Sequence, residues 1–156
     1  DIVTCQIAHN LGEHLHKNCK NNFKEAAKYY RKSYHNRKVN LGEDSSYTLM
    51  SMHGLAYCIA QQKLFKEAYE LFQELLIRFD KHPDYGPDHN STVETLISFI
   101  EICSVSGDYT KSEECMRRLL QTYQKTLGFS HPKTMDCIKD LNNHSFNLNN
   151  SQFSRR

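Results

Sequence analysis

The sequence predicts an all-helical fold, and three observations carry that expectation: sparse punctuation, few strand formers, and apolar residues recurring with a helical period. The 156 residues hold 6 Gly and 3 Pro, about half the average share of these two residues and too few for the frequent turns of an all-β sandwich. Valine occurs only at Val3, Val39, Val93 and Val105, whereas Leu, Lys, Glu and Gln are plentiful. Leu71, Leu75 and Phe79, and again Met116, Leu119, Leu120 and Tyr123, fall on one side of a 3.6-residue period.

An internal repeat orders the elements. Leu41-Gly42-Glu43-Asp44-Ser45-Ser46-Tyr47-Thr48, Tyr85-Gly86-Pro87-Asp88-His89-Asn90-Ser91-Thr92 and Leu127-Gly128-Phe129-Ser130-His131-Pro132-Lys133-Thr134 align without gaps, with glycines 44 and 42 residues apart. Each segment reads as a helix stop followed by a helix start. Ser91-Thr92-Val93-Glu94 fits a capping box, and Pro132 suits a first helical turn. Between these joints lie Phe23-Lys24-Glu25-Ala26, Phe65-Lys66-Glu67-Ala68 and Tyr109-Thr110-Lys111-Ser112. The aromatic plugs a turn, and the small residue three positions later lets a neighbouring helix come close. The elements in order are helices 4–17, 23–39, 47–61, 65–80, 92–105, 109–126 and 133–143. Successive pairs form antiparallel hairpins, and each hairpin buries its apolar face only against the next, as in an α-α solenoid. Gly12 and Gly54 read as close-contact positions within the first helices of their hairpins.

Composition narrows the function. A net charge of +2 makes no global demand for nucleic acid or membrane, and no run of ~18–20 apolar residues could span a bilayer. The chain opens Asp1-Ile2-Val3-Thr4 with neither an initiating Met nor a signal peptide, so it is expected to be part of something longer. Cys5, Cys19, Cys58, Cys103, Cys115 and Cys137 contain no CxxC pair, and most fall on apolar helical faces. They are expected to be reduced, buried and cytosolic.

The paired residues Leu11-Gly12, Leu55-Ala56 and Phe99-Ile100, the small Ala26, Ala68 and Ser112, the large Tyr30, Phe72 and Met116, and the turn Gly107-Asp108-Tyr109 together resemble the tetratricopeptide repeat. The 42–44-residue period and the joint Leu127-Gly128-Phe129-Ser130-His131-Pro132 resemble the longer repeat of kinesin light chains and nephrocystin-like proteins. The resemblance covers residues 4 to about 143. It implies a short right-handed superhelix with repeats at about 4–41, 47–86 and 92–128, a capping helix at 133–143, and a polar tail at 144–156. It also implies a non-catalytic interaction module, an adaptor or scaffold segment whose concave groove holds a short peptide segment of a partner protein.

In such a stack the first helix of each hairpin lines the groove. The candidate contacts are Gln6, His9, Glu13 and His16, then His53 and Tyr57, then Glu94, Ile97 and Glu101. Their imidazoles, phenol and carboxylates, with few fixed cations, suit a basic or aromatic peptide. His9, Glu13 and His16 share a helical face as metal ligands could, but a structural zinc site wants four ligands, so no metal or other cofactor is expected. Lys24, Lys28, Arg31 and Lys32, with Arg37 and Lys38 further along and Tyr29, Tyr30 and Tyr34 interleaved, make helix 23–39 strongly basic. That helix offers a second reading, an RNA-binding repeat, or else an acidic protein patch. Near-neutral overall charge weighs against nucleic acid. A third reading is self-assembly through exposed repeat ends. No phosphate loop, nucleophile elbow or kinase signature points to an enzyme.

Overall fold

The computed structural model describes residues 6–7, 9–12, 14 and 22–153, with side chains described as far as Ser145. Residues 6–7, 9–12 and 14 are helical. After them come α1 (Phe23–Leu41), α2 (Ser46–Gln61), α3 (Phe65–Lys81), α4 (Asn90–Ser106), α5 (Tyr109–Thr126) and α6 (Pro132–Phe153). No strand occurs among the described residues. The chain forms two compact units, Asp1–His82 and Pro83–Arg156. In the first, α1 packs on α2 and α2 on α3; in the second, α4 packs on α5 and α5 on α6.

The repeated joint has one geometry wherever it occurs. Gly42, Gly86 and Gly128 take positive φ values of 91°, 114° and 88°, a backbone state that costs other residues free energy. Six residues later a threonine hydroxyl donates to the glycine carbonyl: Thr48 to Gly42 at 2.8 Å, Thr92 to Gly86 at 2.7 Å and Thr134 to Gly128 at 2.8 Å. All three threonines are fully buried. Between glycine and threonine sits the helix N-cap. At two joints it is a histidine whose Nδ1 accepts a backbone N–H, His89 from Ser91 at 3.1 Å and His131 from Lys133 at 3.2 Å. The expected capping box at Ser91 is therefore displaced: α4 starts at Asn90, the cap is His89, and Ser91 already lies inside the helix. Pro132 does open α6.

Charge reinforces two of the joints. Asp44 pairs with Arg78 near the end of α3 at 2.8 Å, and Asp88 pairs with Lys125 near the end of α5. At the first joint Glu43 also binds Lys38 and Arg78, Glu74 binds Arg78 at 2.6 Å, and the His82 ring meets the Asp44 carbonyl at 2.9 Å. The hydrogen bonds from Lys38 and Arg78 hold the exposed Glu43 carboxyl down to about 2. Burial works against the Arg78 charge, but the three carboxylates outweigh it and keep the guanidinium protonated.

The close-packing positions behave as the spacing predicts. Ala26, Ala68 and Ser112 are completely buried. Tyr30 fills the space between the first helical segment and α2, flanked by two glycines. A Cβ on Gly12 would stand 3.1 Å from the Tyr30 ring, and one on Gly54 only 2.3 Å from it. In the internal turn of the first unit, Lys63 takes φ 64° at the place where the second unit has Gly107.

The last helix departs from expectation. It continues to Phe153 instead of ending at 143, so most of the expected tail is helical. No Gly or Pro interrupts 133–153, and the buried stripe Thr134, Cys137 and Leu141 is prolonged by His144, whose ring meets Tyr109 edge-on at 5.2 Å. Low helix propensity in an Asn- and Ser-rich segment is only a weak penalty.

Three measurements test this account. Gly54→Ala should destabilise by about 1–2 kcal/mol, overpacking against Tyr30 exceeding the gain in helix propensity; a urea titration should show the loss shrinking in a Tyr30→Leu background. Thr92→Val, which keeps the shape and removes the hydroxyl, should cost about 1 kcal/mol, and Thr92→Ser should restore much of it. For Glu43 the folded value lies below the ordinary 4.5, so its stabilisation is complete above about pH 4.5 and fades as pH falls toward about 2. The Tm deficit of Glu43→Gln should therefore be constant at neutral pH and narrow through that acid window.

Candidate binding face

Counted from joint to joint, Met50, His53 and Tyr57 of α2 occupy the same repeat positions as Glu94, Ile97 and Glu101 of α4. Spacings of three and four residues put each trio on one helical face. In the second unit Glu94, Ile97 and Glu101 are all exposed, Ile97 at 44%, while Thr92, Thr95, Leu96, Phe99, Ile102 and Cys103 take the buried side of the same helix. The stripe is a solvent-facing apolar side chain bracketed by two carboxylates, one turn to either side.

In the first unit the trio is partly committed to packing. His53 is half-buried, its ring edge-on to Phe72 at 6.0 Å, and Tyr57 is half-buried beside Phe23 at 6.4 Å. Met50, on the same helical face, is 53% exposed. Gln6 is also exposed; Glu13 and His16 lie outside the described residues.

His9 is not a groove contact. It is 6% exposed and belongs to a buried polar cluster linking three helical segments. Its Nδ1 meets Ser51 Oγ at 3.2 Å, and its ring lies edge-on to Tyr30 at 5.3 Å. Ser51 Oγ also shares a 2.9 Å hydrogen bond with Ser33 and accepts from Arg37 Nη1 at 2.7 Å. Arg37, itself 2% exposed, further donates to the Tyr47 carbonyl at 2.8 Å and to Gln6 Oε1 at 2.7 Å, with its guanidinium 5.6 Å from the Tyr47 ring. Gln6 is thus exposed but engaged. Sequence reasoning counts Arg37 among the cations of a basic helix. The signal against that lay in its spacing: Ala26, Tyr30, Ser33 and Arg37 follow one another at four, three and four residues, along the buried face of α1.

The basic candidates Lys24, Lys28, Arg31 and Lys32 are exposed on α1. Two are ion-paired, Lys28 with Glu25 and Arg31 with Glu67, each at 2.8 Å. Tyr30, which a base-stacking surface would have used, is buried at 3% exposure. Cys58, Cys103, Cys115 and Cys137 are buried free thiols. Burial pushes Cys58 up to about 12 and Cys115 up to about 11, and also raises Cys137. These groups stay protonated at neutral pH, whereas a nucleophile or metal ligand needs the thiolate. Among the described residues no group of three or more His, Cys, Asp or Glu is placed to hold a metal ion, and no helix is long and apolar enough to cross a membrane.

Comparisons with known proteins agree with this architecture. The tetratricopeptide repeat family matches residues 106–133. No curated protein matches the sequence significantly. Among solved structures, the chain is similar to a Podosopora anserina protein assigned as a kinesin light chain with nearly identical TPR-like repeats. The TM-score is 0.74 at 18% identity, over 92% of this chain and 66% of that one. A variant of the same protein gives a TM-score of 0.72 at 19% identity, over 89% and 64%. The chain thus spans slightly less than two thirds of the solved chains it resembles. Residues 106–133 match the tetratricopeptide repeat family, and the chain shares the fold of the TPR-like repeats of the Podosopora anserina protein.

Proposed function

We propose that the chain is a non-catalytic protein–protein interaction module, an adaptor or scaffold segment of a cytoplasmic protein, that holds a short extended segment of a partner against the exposed face of a hairpin's first helix. The observation that supports this most directly is the stripe on α4. Glu94 and Glu101 are exposed, neither enters an ion pair among the described residues, and Ile97 stands exposed between them. Such a stripe fits a segment with basic residues flanking an apolar one, the carboxylates accepting charge-assisted hydrogen bonds while Ile97 contributes apolar contact. The first unit, taken by itself, offers Met50, His53 and Tyr57 on α2, which fit an apolar or aromatic segment.

The RNA reading draws no support from α1, where Lys28 and Arg31 are engaged with carboxylates and Tyr30 is in the core. The test is a fluorescence-anisotropy screen of dodecamer peptides that alternate Arg or Lys with Leu or Tyr. Glu94→Lys with Glu101→Lys should weaken the best binder about tenfold or more while leaving helicity unchanged. Tyr57→Ala should reduce binding of aromatic peptides in particular. Unchanged affinity in both variants would remove the proposal.

A further inference from the structure

The imidazoles at the joints have opposite roles. At the second and third joints His89 and His131 cap α4 and α6. Each offers its Nδ1 to a backbone N–H, that of Ser91 at 3.1 Å and that of Lys133 at 3.2 Å. A backbone N–H can only donate, so Nδ1 must be bare and the neutral ring carries its proton on Nε2. At the first joint the direction is reversed. His82 meets the Asp44 carbonyl through Nε2 at 2.9 Å, and a carbonyl can only accept, so there the ring donates. The cap of that joint, Ser45, makes no side-chain hydrogen bond.

We infer that His89 and His131 make the second unit acid-sensitive: on taking a proton at Nδ1 each ring uncaps its helix, so α4 and α6 loosen at their starts while the imidazole bond of the first joint persists. A protonated ring is a donor at both nitrogens. The N–H groups of Ser91 and Lys133 belong to the first turn, where no partner exists within the helix, and they then lose their acceptor. The new charge also stands at the positive end of the helix dipole, which opposes it. Protonated His82 still donates from Nε2, so the same acidification leaves its contact in place. His89 is exposed and His131 half-buried, so both rings exchange protons with solvent. Tyr85 faces His89 edge-on at 4.5 Å, and the neighbouring Asp88 carboxylate is bound to Lys125 of α5. On α6 the charged residues that follow His131 are Lys133 and Asp136, the latter paired with Lys139 at 3.6 Å. Neither imidazole enters an ion pair among the described residues. An imidazole in water changes charge near pH ~6.5. The two caps are therefore complete in mildly basic solution and fade as pH falls through that range. The inference is independent of peptide binding, because it concerns how the second unit is held closed and not what α4 holds.

The test sets two double variants of the full chain beside the wild type. His89→Ala with His131→Ala has no cap at any pH, whereas His89→Asn with His131→Asn keeps caps that do not titrate. In urea titrations followed by circular dichroism at roughly pH 7.5, the alanine pair should raise the unfolding equilibrium constant about fivefold for each cap lost. At roughly pH 5.5 its deficit against the wild type should all but vanish, because the wild type has then lost the same bonds. The asparagine pair should stay close to the wild type at the higher pH and exceed it in stability at the lower. Heteronuclear NMR of the wild-type imidazole nitrogens at the higher pH should show both rings as the Nε2–H tautomer. An alanine deficit of equal size at both pH values would overturn the inference. So would an asparagine pair that follows the wild-type pH profile, or rings that carry their proton on Nδ1. The asparagine and tautomer measurements decide the matter even where the alanine pair does not fold.

Discussion

The architecture depends on one hydrogen bond made three times. At each joint a glycine turns its backbone into the left-handed region, and a buried threonine six residues on catches its carbonyl. The bond fixes where the next helix starts, at Gly42 and Gly128 directly behind the helix before it, and it demands two residue types at a fixed distance. Only glycine enters that backbone state without penalty, and a buried hydroxyl must find an acceptor. Everything between the two is free to vary, and it does. The cap is His89 at one joint and His131 at another, while Ser45 makes no side-chain cap hydrogen bond at the first. Charge is added where it can reach, through Asp44 to Arg78 and Asp88 to Lys125.

The two units fill the spaces between joints in different ways. The second uses Leu96, Phe99, Ile102 and Leu119, with the Ser104–Ser112 hydrogen bond at 3.1 Å where α4 and α5 pass closely. The first places a cation, two hydroxyls and an imidazole at the meeting of three helical segments. Such a cluster adds little stability over an apolar packing of similar volume, but its directional bonds admit few alternative arrangements. Tyr30 constrains the same region by shape, since Gly54 leaves its ring no room to move toward α2.

Much of this was legible in the sequence because it is local. The glycine-to-threonine distance, the small residue three places after an aromatic, and the close contacts at Gly12 and Gly54 are visible within a few residues. What escaped was set by partners far along the chain. Arg37 reads as one more cation on a basic helix until Gln6, thirty-one positions earlier, and Ser51, fourteen later, are brought to it. His9 reads as a groove residue for the same reason, its partner Ser51 being forty-two positions away. The capping box at Ser91 was a local signal outcompeted by another, the imidazole of His89 two residues earlier. The end of α6 was missed because Asn and Ser suggest a tail, whereas Leu141 and His144 carry the packed stripe past that point.

The buried cysteines have a practical consequence. Cys58 belongs to the first unit, and Cys103, Cys115 and Cys137 to the second. Buried, they cannot meet an alkylating reagent while their helices are closed, so each reacts only during a local opening. The chain therefore carries its own chronometers. The pace at which a maleimide enters Cys58 clocks the breathing of one unit, and the pace at Cys103 clocks the other, with no cysteine introduced.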